Sequence, residues 1–127
     1  TCALPICPYV VLNGQGFSVE IAGTEAARAR GLMYRTRLAA HHGMLFIYPD
    51  VQPRNFWMKN TLIPLDILFF DAQRRLINVA ADAPPCTADP CATYASSGPA
   101  KYVLELNAGM AEKLNVKTGS LLNIKGS

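Results

Sequence analysis

Most of the usual chemical signatures are missing from this sequence. It has no Gly-x-Ser-x-Gly elbow, no phosphate-cradling glycine loop and no His-Glu-x-x-His. Its only histidines are the neighbours His41 and His42. Sequence neighbours rarely converge on one ion, so they read as solvated loop residues rather than metal ligands. Any Ser–His or Cys–His nucleophile could arise only through that loop, which argues against ordinary hydrolytic catalysis. No apolar run reaches the roughly 18 residues of a membrane span. The longest, Ile63 to Phe70, is interrupted by Pro64 and Asp66. There is no repeat and no low-complexity tract. The net charge is only +3, with no lysine-rich stripe interleaved with aromatics, so nucleic acid is not an expected partner. Arg28, Arg30, Arg35 and Arg37 do cluster. However, Arg28 and Arg30 sit two positions apart on an expected helix and point to nearly opposite sides, and Gly31 then interrupts it. This reads as a solvated face.

What is present fits one β-rich domain. At 127 residues and 50% hydrophobic content, the chain has the size of a single domain and is too apolar for disorder. Four cysteines form two equally spaced pairs, Cys2-x4-Cys7 and Cys86-x4-Cys91. A four-thiolate zinc site is the competing reading, but x4 is the loose end of zinc-knuckle spacing. Pro85, Asp89 and Pro90 instead supply a turn that brings Cys86 and Cys91 together. Two local disulfides are therefore expected, with no metal and no cofactor. Disulfides imply an oxidising compartment. A start at Thr1-Cys2 without methionine is what removal of a signal peptide would leave. The expectation is an exported protein, periplasmic or extracellular, with a lipid anchor at the early cysteine as a weaker alternative.

Along the chain, residues 1–16 are rich in turn residues and read as an irregular N-terminal segment before a single β-rich domain over 17–127. Alternation or continuous apolarity marks strands at Phe17–Ala22, Gly43–Tyr48, Phe56–Asn60, Leu65–Asp71, Arg75–Ala80, Lys101–Asn107 and Leu121–Ile124. Thr24 is placed to cap a short helix ending at Gly31. Gly109–Leu114 gives one or two further helical turns. Residues 82–99 read as a long loop without regular structure, stapled by Cys86 and Cys91. The pattern predicts a mainly β fold, a small sandwich or barrel with one or two short helices.

Four residues stand out from plain core. Trp57 and Lys59 share a face of their strand, a flat apolar surface beside a cation, which suits recognition. The plainer alternative is a core tryptophan with a snorkelling lysine. Asp66 shares a face with Leu68 and Phe70, so its charge must be compensated, by Lys59 or by backbone N–H groups of the turn at 60–64. Glu105, on a face with Val103 and Asn107, poses the same question more softly.

Three segments resemble an uncharacterised bacterial and archaeal family, domain of unknown function 192. They are Arg30-Gly-Leu-Met-x-Arg35 leading to Gly43-Met-Leu-Phe46; Phe56-Trp-Met-Lys-Asn-Thr61 with Pro64-Leu-Asp66; and Tyr102-Val-Leu-Glu-Leu-Asn107 with Gly109. They cover about residues 17–124. The resemblance implies a compact β-sandwich or barrel, often behind a signal peptide, with no established activity. It points to Arg35, Trp57, Lys59, Asn60, Asp66 and Glu105 as signature positions. Ser120 departs from it, standing where similar sequences tend to be acidic. The expected function is an exported, non-catalytic module binding a small polar ligand, glycan or peptide around Trp57 and Lys59. One alternative is an enzyme using Asp66 and Glu105 as a carboxylate pair on a sugar-like substrate. That requires an open cleft and a separation of roughly 5 to 9.5 Å. Another is a purely structural or interaction domain.

Overall fold

The computed structural model describes residues 7–126. The elements are β1 (Tyr9–Leu12), β2 (Gln15–Ala22), α1 (Glu25–Arg30), β3 (His42–Gln52), β4 (Asn55–Trp57), β5 (Leu65–Phe70), β6 (Leu76–Ala83), β7 (Thr93–Ala95), β8 (Ala100–Asn107), α2 (Met110–Leu114) and β9 (Leu122–Lys125). Seven strands form one sheet in the order β6-β5-β8-β3-β2-β1-β9, and β4 pairs with β7 in a separate ribbon. All pairings in the large sheet are antiparallel except β2–β3. A parallel step needs a crossover rather than a hairpin, and α1 with residues 31–41 supplies it. The sheet curls until its edge strands approach at one end. There Arg75 bridges Leu121, and the Leu76 N–H donates to the Ser120 carbonyl at 2.9 Å. The architecture is a half-barrel, mainly β with two short helices.

Local chemistry sets the junctions. Thr24 caps α1, its hydroxyl accepting from the Ala27 N–H at 3.1 Å. Asp71 shapes the β5–β6 hairpin by accepting from the N–H groups of Gln73 and Arg75, both at 2.9 Å. Two expectations are corrected. Residues 9–12 are not irregular but form β1, because Asn13 and Gly14 both adopt positive φ and make the tight turn that hairpins favour. Residues 82–99 are not wholly without structure either. Thr93–Ala95 form β7, and the Asn78 side chain ties the segment after it to β6 by accepting from the Ser97 N–H at 2.9 Å.

The sheet has a core on each face. The inner face, including Phe17, Leu45, Leu68, Phe70, Leu104 and Leu106, packs inside the curl. The outer face, including Met44, Phe46, Ile67, Phe69 and Val103, is covered by Leu32, Phe56 and Met58 from the crossover and the β4 region. β5 is buried along its whole length, which explains why it reads as continuous apolar sequence rather than as alternation.

Candidate functional site

A pocket of about 100 Å³ opens between the outer face of the sheet and its covering layer. Residues 28–33, at the end of α1 and beyond, form one wall, while Asn55, Phe56, Trp57 and Thr61 form another; Phe46, Tyr48 and Glu105 of the sheet complete it. Glu105 reaches this face through strand register. It pairs with Met44 on one side and Ile67 on the other, both members of the outer core.

Glu105 is 4% exposed, and among the described residues no group donates a hydrogen bond to it or forms an ion pair with it. Its oxygens are not sealed off, since no buried side-chain oxygen in the described residues lacks a partner. The small exposed area of the carboxyl therefore faces the pocket. Burial pushes its pKa up to about 8, because the charged form loses water without gaining a compensating neighbour.

Cationic side chains stand nearby. The Arg28 Nη1 donates to the carbonyls of Gly23 (2.9 Å) and Ile47 (3.0 Å), which fixes the guanidinium 5.0 Å from the centre of the Tyr48 ring. Arg54 lies 3.8 Å from the same ring centre. Burial raises the Tyr48 pKa; the two arginines pull it down, and Glu105 adds to the rise. Trp57, the only tryptophan, is 47% exposed at the pocket wall. Lys59 Nζ stands 5.2 Å from its ring centre and 3.7 Å from Asp89 Oδ1.

The six expected site residues thus separate. Trp57 and Lys59 lie together at the surface, and Glu105 shares the pocket with Trp57. Asn60 is exposed, adopts a left-handed conformation, and its carbonyl accepts from the Tyr34 N–H at 2.8 Å. Arg35 is engaged elsewhere, in a two-pronged bond to Glu20 at 2.7 and 2.8 Å. Asp66 faces the inner core, 1% exposed. Its donors are not Lys59 or the 60–64 turn but the backbone N–H groups of Asp82 (2.9 Å) and Ala111 (2.8 Å). The carboxylate pair is therefore not formed: both groups are buried, and they point to opposite faces of the sheet because Asp66 pairs with Leu106 while Glu105 pairs with Ile67. Cys86 and Cys91 are bridged. Cys7 is disulfide-bonded; its expected partner, Cys2, lies outside the described residues. No cluster of metal-ligating side chains occurs among the described residues.

The geometry has counterparts. The family model DUF192, "Uncharacterized ACR, COG1430", matches residues 9–124. The chain belongs to this family. Among its relatives, a UPF0127 protein of Thermococcus sibiricus is 30% identical over 80% of the chain, and UPF0127 protein PYRAB11210 of Pyrococcus abyssi is also 30% identical over 80%. The chain spans 62% of the first relative and 80% of the second, and 65% of a second Thermococcus relative, from T. gammatolerans. Two crystal structures share the fold. A protein of unknown function from Novosphingobium aromaticivorans is 40% identical with a TM-score of 0.80, over 92% of this chain and 83% of that one. A Sinorhizobium meliloti protein, provisionally described as a transcription regulator, is 37% identical with a TM-score of 0.81, over 91% and 90%.

Sequence reasoning missed Arg28 and Tyr48 in this DUF192 domain. Arg28 was legible only as one of four clustered arginines, and Tyr48 only as the end of a strand. It also missed a surface chain in which Ser18 Oγ lies 2.7 Å from His42 Nδ1 and His42 Nε2 lies 3.3 Å from Glu20 Oε2. That chain has the residue types of a hydrolytic triad. However, both Glu20 oxygens are held by Arg35, and the Ser18 N–H, which an oxyanion would need, is spent on the His41 carbonyl at 3.0 Å.

Proposed function

We propose that the domain is a binding module. It takes the polar head of a small ligand, glycan or peptide into the pocket above Glu105 and lays the remainder against Trp57 beside Lys59. One observation carries this reading: a buried carboxyl with no partner among the described residues faces an open pocket whose wall is an exposed tryptophan. Buried polar groups are nearly always satisfied, so an unpartnered one at a pocket floor marks where a ligand group or water belongs. A volume of about 100 Å³ is small beside the roughly 300–1,000 Å³ of pockets that enclose a drug-sized ligand, so it suits a head group. The Cys86–Cys91 bridge supports work in an oxidising compartment outside the cytoplasm.

The single tryptophan reports on the site directly. A library of small polar compounds, short peptides and oligosaccharides, followed by Trp57 fluorescence and amide NMR, should give binders that shift Trp57 and Gly31–Met33 together. Glu105→Gln should weaken them at least tenfold. A library that moves none of these signals would leave the pocket as a packing feature of a structural domain.

A further inference from the structure

We infer that the head group is a small zwitterion of the α-amino-acid type, its ammonium seated on Glu105 and its carboxylate held by Arg28 and Arg30. This rests on the binding reading above and narrows it. Glu105, once ionised, and Arg28 are of opposite sign and line one small pocket, yet no ion pair joins them. Arg28 is not free, because two backbone carbonyls and the Tyr48 ring hold its guanidinium. Glu105 is fixed in the middle of a buried strand. The pocket between them is therefore bounded by two half-bridges of opposite sign, which one molecule carrying both charges completes. Among the described residues only Nη1 of Arg28 has partners, so Nη2 and Nε remain as donors in the fork geometry that matches a carboxylate. Although they lie two positions apart on α1, Arg28 and Arg30 both line this wall; the Arg30 side chain makes no hydrogen bond or ion pair among the described residues and stands 6.0 Å from the Tyr34 ring centre.

Binding an ammonium requires ionised Glu105, which couples affinity to pH. The charged or titratable side chains lining the pocket with it are Arg28, Arg30 and Tyr48. Farther along the same sheet row lies Glu20, paired to Arg35 and His42 and held near pKa 2. Arginines stay charged, and the Tyr48 pKa is raised above 10. Glu105, at about 8, thus sets the response inside the pocket.

The test titrates glycine and alanine, their amine halves (methylamine, ethylamine) and their acid halves (acetate, propionate) into the protein, read by the Trp57 indole and the Gly31–Met33 amides. The expected result is binding of a zwitterion at least tenfold tighter than either half. Affinity should rise about tenfold per pH unit well below pH 8 and level off around it. Glu105→Gln should flatten that pH profile, and Arg30→Gln should weaken zwitterions without affecting amines; Arg30 is exposed, so the variant will fold. Amines that bind as tightly as zwitterions overturn the carboxylate half of the inference. Other library members that bind the pocket while all six probes fail overturn the zwitterion and leave the binding module standing. Silence from the whole library overturns both.

Discussion

Asp66 and Glu105 come from neighbouring strands with registers one residue apart, and they have opposite fates. Each oxygen of Asp66 accepts a backbone N–H, one from Asp82 at a register shift of β6 and one from Ala111 in the first turn of α2. Helix α2 has no side-chain cap of its own at Gly109, so Asp66 serves that end from another strand. Asp66→Ala should cost on the order of 2–4 kcal/mol in urea denaturation, because two donors lose their partner in an apolar setting. Asp66→Asn should cost less, since one oxygen remains, though its NH₂ then faces an N–H. Unchanged midpoints in both variants would show that Asp66 clamps nothing. Glu105 acts in the other direction. Its pKa lies above the ordinary 4.5, at about 8, so the folded state holds a proton that the unfolded state has released. Stability is then full below pH 4.5 and falls as pH rises toward 8, by on the order of 1.4 kcal/mol per unit at most. Glu105→Gln should remove this slope and be the more stable protein at pH 8. Parallel pH profiles for wild type and variant would contradict it. Glu20, held down near 2 chiefly by Arg35, has the reverse sign: its smaller, solvent-screened contribution disappears as pH drops from 4.5 to 2.

Strands β5 and β8 were legible because apolar runs and alternation act through nearest neighbours. The faces of Asp66 and Glu105 were legible for the same reason. The partners of Asp66 were not, since its donors lie 16 and 45 residues away and proximity in sequence pointed to Lys59. The turn at Asn13-Gly14 was a readable hairpin signal, masked by the prolines before it. β7 was hidden in a proline-rich stretch, because only its pairing with β4 makes three residues a strand. Two element-level outcomes follow from close contacts. A Cβ on Gly43 would sit 2.6 Å from the Glu105 carbonyl and 2.7 Å from a Leu106 methyl, where β3 meets β8. Gly43→Ala should therefore destabilise by about 1–3 kcal/mol, measurable as a lowered denaturation midpoint. The Cys86–Cys91 bridge spans a sequence separation of 5, and losing so short a loop should cost only about 2 kcal/mol in the chain-entropy model. The Cys86→Ala/Cys91→Ala double variant should fold with a modestly lower midpoint, and intact mass with alkylation should find no free thiol at either site in wild type.

The molecule as a whole is a curled sheet with one core inside it and a second, thinner core outside. β4 and β7 are three residues each and, among the described residues, pair only with one another, whereas β5 and β8 lie in the middle of the large sheet with paired strands on both sides. Hydrogen exchange should release the amides of β4 and β7 well before those of β5 and β8, since local opening spares elements held on both edges. Equal protection throughout would mean that the outer layer is no weaker than the barrel. Strand β8 carries the division between the layers in its own alternation: Tyr102, Leu104 and Leu106 go to the inner core, while Val103 and Glu105 face outward. A strand written this way separates inheritance of shape from inheritance of specificity. Outward residues can be exchanged while the inward ones keep the fold, but a single-residue deletion within β8 swaps the two messages. It would drive the acid into the barrel and turn its leucines toward the pocket.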